Sequence, residues 1–199
     1  VAGINGRGTS HIGGFAPLDG VEVSCLIDPD KSLFDSRSKM VHDKGGNTPE
    51  CVQDIRTALE DKSLDAISVA TCNHWHSLIT VWACQAGKDV YVEKPISHNV
   101  WEGRQCVSAA AKYNRIVQHG TQNRSSQSKA NEIAAVQSGK YGKLLVSKGY
   151  CCKPRWSIGH KAVTTPPAHL DWDLWLGPAP KQDFHGNLHT YNWHWFWDT

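Results

Sequence analysis

Hydrophobic and polar positions along this chain follow two rhythms. Short apolar runs rich in β-branched residues alternate with longer stretches whose apolar positions recur at helical spacing. Residues 1–2 form the stub of a first strand, and residues 3–8 a glycine-rich turn. A helix is expected over 9–16, stopped by Pro17 and Gly20. Residues 21–27 alternate as a second strand. Asp28-Pro29-Asp30 ends it and can cap a helix over 31–42. Pro49 suits the first position of a helix over 50–60. Strands are expected over 65–71, 89–93 and 115–118, and helices over 76–86, 100–113 and 126–138. This alternation predicts a parallel sheet covered by helices on both faces. The rhythm changes after Gly142: residues 143–153 form a long strand candidate, followed by a loop rich in Pro, His and Trp. The expected division is residues 1–122 and residues 123–199.

Composition narrows the class. The chain has 199 residues, 40% hydrophobic and 20% charged, so it is neither disordered nor too small for a core. Its formal net charge of +2 gives no reason to expect nucleic acid as a partner. No apolar run approaches the ~18 residues of a membrane helix, so no membrane partner is expected. The seven cysteines are an odd number without framework or zinc spacing, which favours a reducing compartment and no metal site. The chain begins at Val1 inside a strand and ends at Thr199 after an aromatic run, so both ends look cut.

The turn Gly3-Ile4-Asn5-Gly6-Arg7-Gly8 fits G-x-G-x-x-G except for Asn5. A bare backbone in a tight turn, followed by a helix N-terminus, is what a pyrophosphate requires. An ordinary strand-to-helix turn is the alternative. Asp28 lies 20 residues after Gly8, where a carboxylate accepts both hydroxyls of an adenosine ribose. The same charge repels a 2′-phosphate, which favours NAD over NADP. A helix-capping role for Asp28 is compatible with that one.

Two further motifs follow predicted strands, Thr71-Cys72-Asn73-His74-Trp75-His76 and Glu93-Lys94-Pro95. With the glycine turn, Asp28, Ala86-Gly87-Lys88 and Val92, they make the chain resemble the Gfo/Idh/MocA oxidoreductases. Gln122-Asn123-Arg124, Leu176-Gly177-Pro178 and the run from Trp193 to Asp198 resemble one bacterial subgroup. The resemblance implies an α/β fold: an N-terminal Rossmann doubly wound sheet, then an incomplete C-terminal α/β domain with a mostly antiparallel sheet. It implies that Gly3, Asn5, Gly6, Arg7, Gly8, Asp28, Thr71, Asn73, His76, Glu93, Lys94, Pro95 and Gln122 hold NAD. Lys94 would be the catalytic residue, hydrogen-bonding a substrate hydroxyl, and the Lys94–Pro95 bond would be cis. A second acid–base element would lie beyond Thr199, so residues 1–199 alone are expected to be inactive.

Three functions follow. The first is hydride transfer between NAD(P) and a sugar, cyclitol or related polyol. The second is an NAD-dependent glycoside hydrolase working by transient oxidation and elimination. The third is a non-catalytic NAD-binding protein. A homo-oligomer is expected at full length, in the cytoplasm or in exported periplasmic form. Trp193, Trp195 and Trp197 alternate as on one face of a strand, suiting core packing or a sugar-stacking wall.

Overall fold

The computed structural model describes residues 1–189 and 191–199. The chain forms two compact units, Val1–His119 with His160–Thr199, and Gly120–Gly159.

The first unit is built on short parallel strands. They are β1 (Cys25–Ile27), β2 (Glu50–Val52), β3 (Ala66–Val69), β4 (Asp89–Glu93) and β5 (Val117–Gly120). β1 pairs in parallel with β2, and β3 with β4. β3, β4 and β5 are adjacent in that order. Ala2 joins the two groups by parallel bridges to Ile27 and Val69. Its amide donates to Ser68 O (2.8 Å), and its carbonyl accepts from Ala70 N (2.7 Å). The N-terminal stub is therefore the central strand, and the order β2-β1-stub-β3-β4-β5 is that of a dinucleotide-binding sheet.

Side-chain alternation on β1 shows why both faces are covered. Cys25 and Ile27 join a core with Ile67, Val69, Ile79 and Val92, whereas Leu26 joins Ile4, Ile12 and Val41 on the opposite face. The helices are α1 (Gly6–Phe15), α2 (Phe34–Gly45), α3 (Ile55–Glu60), α4 (Asn73–Gln85) and α5 (Val100–Tyr113). Caps fix several starts: Asp30 accepts from Ser32 N before a 3-10 turn, Asp54 from Arg56 N before α3, and Asn99 from Glu102 N before α5.

Three expectations are corrected. Residues 50–60 are not one helix. Glu50, Cys51 and Val52 extend to pair with β1, and the helix starts only after Asp54. Pairing with a buried neighbour outweighs the helix-start signal of Pro49. Residues 143–153 form no strand; they are exposed and have no ladder partner among the described residues. The tryptophan run is not a strand either: Asn192–Trp195 is a 3-10 turn. Three residues per turn scatter the ring directions. Trp193 packs on a buried cluster, while Trp197 is 99% exposed.

That cluster belongs to the returning segment, with α7 (Trp172–Leu176) at its centre. Leu170, Trp175, Leu176, Phe184 and Leu188 are buried together and pack against Cys72. In the second unit, α6 (Gln127–Gln137) follows a 3-10 turn at Gln122–Ser125.

Candidate cofactor-binding and active site

The carboxyl ends of the stub, β1, β3 and β4 collect the chemistry-bearing residues of the first unit. At the centre is the glycine turn. Gly3 has φ +77°, and a Cβ there would lie 2.5 Å from Thr71 N. A Cβ on Gly8 would overlap the Gly3 carbonyl. Only glycine lets the turn close against the β3 loop and lets α1 start so tightly. Gly6 faces open space. Asn5 has φ −78°, so the position does not require glycine's freedom. Its side chain makes no capping bond, and the first turn of α1 carries no acidic residue. A ten-residue helix whose N-terminus has neither a side-chain cap nor a competing carboxylate fits an anionic pyrophosphate.

Asp28 flanks this turn at the end of β1. Its Oδ2 accepts from Ile4 N and its Oδ1 from Asp30 N, both at 2.9 Å. Burial raises its carboxyl to about 6, against the pull of those two bonds. The helix cap expected of it is made by Asp30 instead. Each carboxylate oxygen retains lone-pair capacity for a ribose hydroxyl.

On the other flank, Thr71 precedes α4, and Asn73 is the first residue of that helix. His76 is buried and ties two loops together. Its Nδ1 lies 2.6 Å from Pro95 O and its Nε2 3.0 Å from Thr71 O. Burial holds it below the ordinary histidine value. The neutral ring has one N–H to donate to one of these two carbonyls, and His76 sits between the β3 and β4 loops.

Glu93 closes β4 and is 5% exposed. Its Oε1 accepts from Arg7 Nε (2.8 Å) and His11 Nε2 (3.0 Å). The bond to Glu93 raises Arg7. Glu93 therefore anchors the glycine turn to the loop that bears Lys94. Lys94 is exposed, and its peptide bond to Pro95 is cis. Gln122 is exposed and belongs to the second unit.

Sequence reasoning missed several residues. His11 and Ser68 complete the setting of Glu93, with Nδ1 of the ring 2.7 Å from Ser68 Oγ. The spacing of His11 from Gly8 puts it one turn further along α1, but only the β4 pairing shows what it meets. The returning segment touches both flanks of the site. His169 Nδ1 lies 2.7 Å from Asp30 Oδ1, and Leu170 bridges Asp30 in antiparallel fashion. His74 Nε2 lies 2.9 Å from Trp175 O, and Trp75 Nε1 donates to Leu174 O at 3.1 Å. Burial lowers His74 to about 4, so it is neutral and donates through Nε2.

This geometry can be set beside known proteins. Residues 1–121 match the Gfo/Idh/MocA oxidoreductase family model, an NAD-binding Rossmann fold. The chain belongs to this family. Among curated proteins, it is 25% identical over 161 residues to a glycosyl hydrolase family 109 protein of Shewanella pealeana. That match covers 78% of this chain and 35% of the relative, so the chain spans about a third of the curated protein. Solved structures of similar fold include a scyllo-inositol dehydrogenase from Lactobacillus casei with NAD(H) and scyllo-inositol bound. It has TM-score 0.63 and 22% identity, covering 71% of this chain and 41% of that one. A myo-inositol 2-dehydrogenase from Lactobacillus plantarum has TM-score 0.61 and 21% identity, covering 72% and 42%. A 3-ketoreductase from Actinomadura kijaniata with TDP-benzene and NADP bound has TM-score 0.62 and 17% identity, covering 71% and 42%. Gfo/Idh/MocA relatives thus hold either nicotinamide cofactor. No helix among the described residues of this member is long and apolar enough to cross a membrane.

Proposed function

We propose that this Gfo/Idh/MocA protein binds NAD and serves hydride transfer to or from a sugar, cyclitol or related polyol. The observation that carries this is one edge of the sheet holding three groups together. They are the uncapped helix N-terminus after the glycine turn, the buried Asp28 carboxylate, and Glu93-Lys94-Pro95. Gly3, Asn5, Gly6, Arg7 and Gly8 would hold the pyrophosphate, and Asp28 the adenosine ribose. Thr71, Asn73 and His76 would line the nicotinamide side. Asp28 favours NAD, because a 2′-phosphate would face a buried carboxylate. When bound, the cofactor supplies the hydride acceptor. Lys94 then hydrogen-bonds the reacting hydroxyl and steers its proton, while Glu93 fixes the lysine's backbone through a 3.4 Å contact from Lys94 N. The free thiols support a cytoplasmic setting.

The glycoside hydrolase similarity favours a second reading, in which the same groups oxidise a sugar transiently and net hydrolysis results. One set of measurements separates these. NADH and NADPH are titrated into the protein and followed by energy transfer from its tryptophans. Preference for NADH, weakened in Asp28→Ala, supports the site. With the full-length enzyme, polyol-dependent release of NADH marks the dehydrogenase. Glycoside cleavage with retained cofactor marks the hydrolase. Absence of nucleotide binding by folded protein refutes both and leaves a structural relative.

A further inference from the structure

One chain of hydrogen bonds holds two members, Ser68 and His11, that this chemistry leaves unused. It runs from Ser68 on β3 through His11 on α1 to Glu93 on β4, and back to Arg7 at the glycine turn. The distances are 2.7 Å, 3.0 Å and 2.8 Å in that order. A carboxylate paired with Arg7 only accepts, so Nε2 of His11 carries a proton. In the neutral ring, Nδ1 then accepts from the Ser68 hydroxyl. His11 and Arg7 share one oxygen, yet their exposure differs. The side chain of His11 is 4% accessible and that of Arg7 is 48%. Arg7 is the partner able to leave, and it lies in the first turn of α1, where a pyrophosphate fits.

We propose that seating a dinucleotide on this turn draws Arg7 from Glu93 to the phosphate, and that His11 takes up a proton from solvent in its place. This rests on the dinucleotide reading of the turn. The proton binds Nδ1. The Ser68 hydroxyl turns from donor to acceptor, so that contact survives, and Nε2–H continues to donate to Glu93. The buried carboxylate keeps a cation beside it throughout, as a desolvated charge requires. The groups that act on the ring are Glu93 and Tyr91 from β4, Arg7 from its own helix, Ser68 from β3 and the amine of Val1. Burial holds His11 below the ordinary histidine value and Glu93 opposes this, while Arg7 adds to the lowering. Withdrawal of Arg7 removes that contribution.

The test is calorimetric titration of the chain with NADH near pH 7.5 in buffers of different ionisation enthalpy. At that pH Asp28 and the Val1 amine, both near 6, have already lost their protons. Net uptake of a fraction of a proton per NADH is expected. His11→Gln keeps the hydrogen-bonding ends without titrating, and uptake should vanish. Arg7→Met should move the His11 titration to higher pH before NADH is added, which reduces the uptake. In the native chain, NMR of the His11 ring should show its titration moved to higher pH by NADH. Binding without uptake, uptake unchanged in His11→Gln, or an unmoved ring titration overturns the proposal. No binding of NADH by folded protein overturns the dinucleotide reading as well, so the two failures are distinct.

Discussion

Replacing Asp28 by Asn should remove a specific pH dependence of stability. Asp28 is buried, and its carboxyl is raised from the ordinary 3.8 to about 6, chiefly by desolvation. Below pH ~3 the group is neutral in both folded and unfolded chains. As pH rises, the unfolded chain loses this proton first and the folded chain retains it, so stability falls until both have ionised above pH ~6. Each pH unit of separation is worth about 1.4 kcal/mol, so the native protein should lose roughly 3 kcal/mol across this window from Asp28 alone. Asn cannot titrate. It also accepts only one of the two amides, from Ile4 and Asp30, which adds a pH-independent cost of about 1–3 kcal/mol. Urea denaturation of both proteins between pH 4 and 7.5 isolates the effect, because all other groups cancel in the difference. The stability of the native chain relative to the variant should fall by about 2.4 kcal/mol from the acid to the neutral end. A difference that stays flat with pH would refute the burial of a charge-capable Asp28. NADH affinity of the native protein should rise through the same window, since only the ionised carboxylate accepts both ribose hydroxyls.

Other outcomes follow from the same geometry. Gly3→Ala should destabilise by more than about 1 kcal/mol and lose NADH binding, because φ is +77° and the new Cβ meets the Thr71 backbone; urea melts and the tryptophan energy-transfer titration check this. Trp175→Ala should cost about 3–5 kcal/mol in the same melts. Its ring is buried and stacked on Trp172 with centroids 4.7 Å apart. Lys94→Met should leave stability close to native, since the side chain is exposed, but abolish turnover of the full-length enzyme in a steady-state assay.

Much of the sheet was legible because its signals are local. The run 89–93 and the helix 100–113 coincide with β4 (Asp89–Glu93) and α5 (Val100–Tyr113), where β-branched content, the Asn99 cap and Asn114 at φ 51° all agree. β2 was not legible: Glu50, Cys51 and Val52 are extended by β1 beside them, a non-local cause that a leading proline masks. The glycine turn, Asp28 and Glu93 stand out as motifs. The partners that hold them do not, because His11 meets Glu93 across 82 positions and His169 meets Asp30 across 139. No spacing rule reaches that far. Histidine also gives an ambiguous signal in sequence. His74 and His76 carry no spacing that tells their partners, and both lie against main-chain carbonyls.

The returning segment has a consequence for biosynthesis. Its residues meet their partners across separations of 99 to 139 positions. At roughly 5–20 residues per second, the loop after β1 leaves the ribosome some 7 to 30 s before His169 is made. During that interval Asp30 lacks His169 and Leu170, and the surface around Cys72 and Trp75 that α7 will cover is open to water. The nascent sheet must wait for its own seal, and its apolar rim is the surface a chaperone would meet first.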